Sequence, residues 1–132
     1  MTSRELSCDG VRLLVTRPEP DAARTAASLR AGGLSMVTVV AYRAVKVERL
    51  PPAVATALAQ GALAGVLHFS TRSAQAYLDC ASREGILEAA LAPVHVCISR
   101  QVAQPLAAAG APAVRIAPRP DESAMIELVG PA

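Results

Sequence analysis

At 132 residues the chain suffices for one compact domain, and its 52% hydrophobic but only 2% aromatic content leaves Ala, Val and Leu to build the core. A net charge of +2 is too small for the one-sided basic footprint of a nucleic-acid binder, and Phe69, Tyr42 and Tyr77 alone are a poor supply of base-stacking rings, so no nucleic-acid partner is expected. No apolar stretch is long enough to span a bilayer, and Met1–Asp9 lacks the apolar segment of a signal peptide, so the expected location is the cytoplasm with no membrane partner.

Residues 1–10 read as an irregular leader, and 11–130 as a single α/β domain. Val11–Thr16 is a short apolar run that predicts a strand, and Asp21–Arg30 a helix stopped by Gly32-Gly33. Val37–Val47 is rich in β-branched residues and predicts a second, long strand. Pro51-Pro52 opens a helix over Ala53–Gln60, with Gly61 as its stop. Gly65–Ser70 is a strand, and Ser70 or Thr71 caps a helix running to about Arg83. A short helical piece over Gly85–Leu91 ends before Pro93. Val94–Ser99 is a strand, Gln101–Ala109 a helix carrying Pro105, and Gly110 its stop. Val114–Ala117 and Glu122–Val129 supply the last strand and helix, with Pro120 or Asp121 at the helix start. This alternation predicts an α/β fold with a mostly parallel five-stranded sheet covered on both faces, in the flavodoxin-like order 2-1-3-4-5.

Four of these strands end in a polar cluster with an arginine: Thr16-Arg17, Ser70-Thr71-Arg72-Ser73, Ser99-Arg100-Gln101 and Arg119-Pro120-Asp121. Open α/β sheets bind ligands outside the carboxyl ends of their strands, so the clusters point to a binding edge. Helix capping accounts for Thr16, Ser70, Thr71, Ser99 and Asp121 without any ligand. It does not account for Arg72 and Arg100, which sit where the helix dipole disfavours a cation unless an anion is present. Fork-shaped guanidinium groups and helix amides both suit carboxylate or phosphate.

Other chemistry is sparse. Neither a Gly-x-x-x-x-Gly-Lys loop nor a Gly-x-Gly-x-x-Gly turn is present. Cys8, Cys80 and Cys97 have no metal or redox spacing, and Cys97 reads as a buried thiol. His68 and His95 lie inside apolar strands and read as core residues ahead of general bases.

At these residues the chain resembles the uroporphyrinogen-III synthase family. Leu14-Val-Thr-Arg-Pro-Glu-Pro-Asp-Ala-Ala-Arg-Thr-Ala-Ala-Ser-Leu29 is similar to the family's opening strand, turn and helix, and Val39-Val-Ala-Tyr-Arg-Ala-Val45 to its returning strand. Gly65–Ala74, Cys97–Ala103 and Ala117–Ala124 are similar to later strand-turn-helix units, so the likeness runs through nearly the whole chain from Val11. The resemblance implies cyclisation of hydroxymethylbilane to uroporphyrinogen III in haem biosynthesis. The substrate loses water to give an azafulvene cation, passes through a spiro intermediate, and recloses with ring D inverted. No cofactor or metal is implied. By carry-over Tyr42 is the candidate catalytic group, assisting loss of the hydroxyl. Thr16, Arg17, Ser70, Thr71, Arg72, Ser73, Ser99, Arg100 and Gln101 are the candidate substrate-binding residues.

The family normally has two lobes with the active site between them, the second inserted after the first strand-helix unit. Here Gly33 leads directly to the strand carrying Tyr42, so the chain reads as a single lobe. The expected partners are the small-molecule substrate and a second lobe from a homodimer or another chain. An apolar patch at Val39, Val40, Ala41 and Val45 is the expected dimer contact. The alternative function is a catalytically silent single-lobe module that binds a polycarboxylate tetrapyrrole or another anion.

Overall fold

The structure, a computed structural model, describes residues 12–17, 21–31, 38–41 and 49–129. Five strands alternate with helices: β1 (Arg12–Val15), α1 (Asp21–Ala31), β2 (Thr38–Ala41), α2 (Pro52–Ala59), β3 (Gly65–His68), α3 (Thr71–Arg83), α4 (Leu87–Leu91), β4 (Val94–Cys97), α5 (Arg100–Ala109), β5 (Val114–Ile116) and α6 (Glu122–Val129). All the strand pairs are parallel, in the order β2-β1-β3-β4-β5 expected from the alternation. Of the long second strand, Thr38–Ala41 is present as strand, while Tyr42 to Val47 lies outside the described residues.

Strand alternation divides the core into two layers. Leu13 and Val15 of β1, Leu67 of β3 and Val96 of β4 face Leu29 of α1 and Met125 of α6. On the opposite face Leu14, Val66 and Cys97 meet Val54 and Leu58 of α2, Tyr77 of α3, Leu91 of α4 and Leu106 of α5. Both faces are therefore covered, which is why the strands read as continuous apolar runs rather than alternating ones. Each fully buried aliphatic side chain contributes about 1.5–3 kcal/mol of transfer free energy.

The helix ends follow local chemistry. Ser70 and Ser99 adopt extended backbone and accept the amides of Ser73 and Val102, at 3.1 and 3.3 Å. Asp121 does the same for α6, accepting the Ala124 amide at 2.8 Å. Gly110 closes α5 in the left-handed region (φ +97°), with the Ala111 amide returning to the Leu106 carbonyl. Gly85 (φ +72°) performs the same reversal between α3 and α4. Pro105 lies inside α5, whose helix nevertheless runs from Arg100 to Ala109.

Candidate binding edge

Because β1, β3, β4 and β5 are consecutive neighbours in the sheet, the four arginine-bearing strand ends form one row along its carboxyl edge. The strand order reverses between β1 and β3, which places the crevice of an open α/β sheet beside Arg17 and the turn after His68. The row is real, but its members have different surroundings.

Arg17 is held by the protein itself. Its guanidinium lies 4.2 Å above the centre of the Phe69 ring, 3.1 Å from Thr25 Oγ1 and 3.4 Å from Glu122 Oε2. Asp21 lies at 4.0 Å, and the buried Thr25 hydroxyl donates to the same Glu122 oxygen at 2.6 Å. The cluster ties the starts of α1 and α6 across the end of β1, so two carboxylates already balance the charge of Arg17. Arg119 is likewise paired, with Asp121 at 3.3 Å and Glu127 at 3.7 Å. Thr16 has no exposed surface, and its hydroxyl donates to the Leu67 carbonyl at 2.9 Å. It fastens β1 to β3 and presents nothing to a ligand on the edge.

The two middle clusters are different. Arg72 and Arg100 are exposed, and among the described residues neither has an ion-pair or hydrogen-bond partner. They occupy the second position of α3 and the first of α5, helices that pack against one another. The amides of Thr71 and Arg72 in α3, and of Arg100 and Gln101 in α5, precede the first intrahelical bonds and have no helical carbonyl to meet. Ser70 and Ser99 each use a lone pair on a cap, leaving the hydroxyl proton able to donate outward. Thr71 and Gln101 are exposed beside them, whereas Ser73 is buried under the first turn of α3. Strands β3 and β4 are neighbours, so the two helix starts that follow them lie side by side, about 10 Å apart.

Tyr42 follows the last residue of β2 and lies outside the described residues. The two histidines are buried between the sheet and the helices that cover it, with His68 the last residue of β3 directly below the edge. Burial lowers His68 well below the ordinary imidazole value, aided by His95, and lowers His95 to about 4 despite carbonyls of α4 that pull it upward. Burial also raises Cys97 to about 12, keeping it a neutral thiol as the apolar run implied. Among the described residues no cluster of His, Cys, Asp and Glu is arranged to hold a metal, and no helix is long and apolar enough to cross a membrane.

The two acidic partners of Arg17 differ in how far the sequence shows them. Asp21 at i+4 carries a local signal, but Glu122 stands 105 residues away. No match was found among curated proteins or among solved structures. A family comparison does match: residues 4–127 fit the family described as uroporphyrinogen-III synthase HemD. With five parallel strands in the expected order and that match over almost its full length, the chain belongs to the uroporphyrinogen-III synthase family.

Proposed function

We propose that this protein supplies one wall of a site that cyclises hydroxymethylbilane to uroporphyrinogen III, with loss of water and inversion of ring D. The observation that carries the reading is the pair of exposed arginines, unpartnered among the described residues, at adjacent helix starts on the carboxyl edge. A linear tetrapyrrole bears carboxylates at intervals along its length, and two neighbouring donor clusters can hold two of them at once. Ser70, Thr71 and Arg72 bind one carboxylate, and Ser99, Arg100 and Gln101 the next. Charge-assisted bonds of this kind orient the chain so that its ends approach each other, which is the positional demand of ring closure. Tyr42, at the exit of β2, assists departure of the hydroxyl. The second wall comes from another copy or another chain.

Loss of the protonated hydroxyl as water develops positive charge on the methylene carbon it leaves, and no bound metal or redox group is required for that step. The edge therefore acts by binding and orientation, with Tyr42 as the proton donor.

The test is a product-isomer assay over a concentration series, with oligomeric state followed in parallel. Formation of the type III isomer above the spontaneous type I product, rising with association, is the expected result. Type I product alone at every concentration overturns catalysis. Tetrapyrrole binding that persists under those conditions, and weakens about tenfold in Arg72→Ala or Arg100→Ala, identifies the silent binding module instead.

A further inference from the structure

Two buried histidines are not used by the binding edge. His68 on β3 and His95 on β4 have no exposed surface, and their rings stack with centroids 5.2 Å apart. They belong to a chain of four polar links. Thr16 Oγ1 is 2.9 Å from the Leu67 carbonyl and 3.4 Å from His68 Nδ1; His68 Nε2 is 3.0 Å from His95 Nδ1, and His95 Nε2 is 3.3 Å from the Leu91 carbonyl.

Each link needs one proton between its two heavy atoms. With both rings neutral, Thr16, His68 and His95 bring one proton each, which leaves one link of the four empty. A carbonyl cannot donate, so His95 Nε2 carries the proton facing Leu91, and the neighbouring Ala90 carbonyl favours the same arrangement. His95 Nδ1 is then an acceptor, and His68 Nε2 donates to it. Thr16 spends its proton on Leu67, its shorter contact. The empty link is the longest one, between Thr16 and a bare His68 Nδ1.

A further proton could complete the chain at His68 Nδ1, but among the described residues no carboxylate stands beside the rings to balance its charge. Tyr77 of α3 stands edge-on to both rings, the buried layer to which it belongs also holds Cys80, Cys97, Val102 and Leu106, and α4 supplies the Leu91 and Ala90 carbonyls. Burial raises the Tyr77 hydroxyl and the Cys97 thiol, so both are neutral. Glu88 of α4 is exposed, and Glu84 is bonded to the Leu50 amide. An imidazolium therefore needs water, and water needs a covering element to move.

The element over His95 Nε2 is α4, which has five residues and no side-chain cap at Ile86. A helix of that length does not persist alone. Its docking includes buried Ala90 and Leu91, partly buried Leu87 and Ala89 packed on α2 and α3, the Tyr77 hydroxyl donating to the Ala90 carbonyl at 2.7 Å, and the His95 link to Leu91. We propose that the His68–His95 pair is an acid-sensitive latch: neutral rings hold α4 against the sheet, and protonation releases α4 by local opening while the sheet stays paired. The proposal stands independently of the reading of the carboxyl edge.

Amide hydrogen exchange on the full chain tests it, read at Ala90, whose amide bonds to the Ile86 carbonyl, and at Val66 in β3. If opening exposes two histidines of ordinary basicity, its equilibrium constant rises about 600-fold between pH 7 and pH 5, after correction for intrinsic exchange. His68→Gln or His95→Gln reduces that rise to about 25-fold, and the double variant abolishes it. Ala90 should exchange through an opening at least about tenfold more frequent than that of Val66 and insensitive to low denaturant. A pH-independent opening at Ala90, or equal rates at Ala90 and Val66 throughout, overturns the latch. The native protein alone carries a second readout, should the variants fail to fold: long-range nitrogen–proton spectra at pH 7 should show both rings as Nε2–H tautomers. An Nδ1–H tautomer at either ring overturns the proton assignment.

Discussion

Arg17 and Arg72 carry the same side chain at equivalent strand ends, yet the fold assigns them different work. Glu122, Asp21 and Thr25 surround the first, while the second projects from a helix start with no acid paired to it among the described residues. Arg17→Ala should therefore cost stability, about 1–2 kcal/mol, because it leaves the Thr25–Glu122 pair without its cation. Chemical denaturation measures this, and Arg72→Ala should leave the same midpoint unchanged. Tyr77→Phe strands the Ala90 carbonyl inside the core and should cost about 1–3 kcal/mol by the same measurement. The histidines set a pH dependence whose sign follows from their lowered values. Unfolded imidazoles bind protons near pH 6.5, and His95 in the folded protein does so near 4. The unfolded state thus takes up more protons below pH 6.5. The stabilisation is complete above that pH and is lost as pH falls from 6.5 toward 4, by about 3 kcal/mol from His95 alone. Denaturation midpoints across that range should fall steadily on acidification.

Most elements lie where their local signals put them. Ser70, Ser99 and Asp121 cap the helices that follow them, and Gly61 and Gly110 mark helix exits with positive φ, while Gly85, expected to open the short helix, instead closes α3 and leaves α4 to start at Leu87. These signals are local: a hydroxyl three residues from an amide, or a residue without a Cβ where the chain turns left-handed. Gly65 has a different reason, which spacing does not reveal. A Cβ there would sit 3.1 Å from the Leu13 side chain and 3.4 Å from the Val94 carbonyl, in the tight centre of the sheet. Gly65→Ala should crowd the Leu13 side chain and the Val94 carbonyl and lower the thermal midpoint. The proposed patch at Val39, Val40, Ala41 and Val45 involves side chains outside the described residues, so its check is sedimentation: dimer at micromolar concentration is expected, with dissociation on dilution.

At the scale of the molecule, the sequence alone determined the alternation of strands and helices, the parallel sheet, the strand order and the family. It also placed polar clusters at four strand ends, because apolar runs, caps and stop residues are properties of neighbours along the chain. What those clusters are available to do was decided only by the tertiary structure. The same Arg-bearing turn is neutralised at β1 by Glu122 from α6, and at β5 by Asp121 and Glu127, but is unpaired among the described residues at β3 and β4. Likewise His68 and His95, separated by 27 residues, became one buried chain only when adjacent parallel strands set their register. Charge compensation and proton sharing act through space over a few ångströms, and the folded sheet decides which distant residues stand that close.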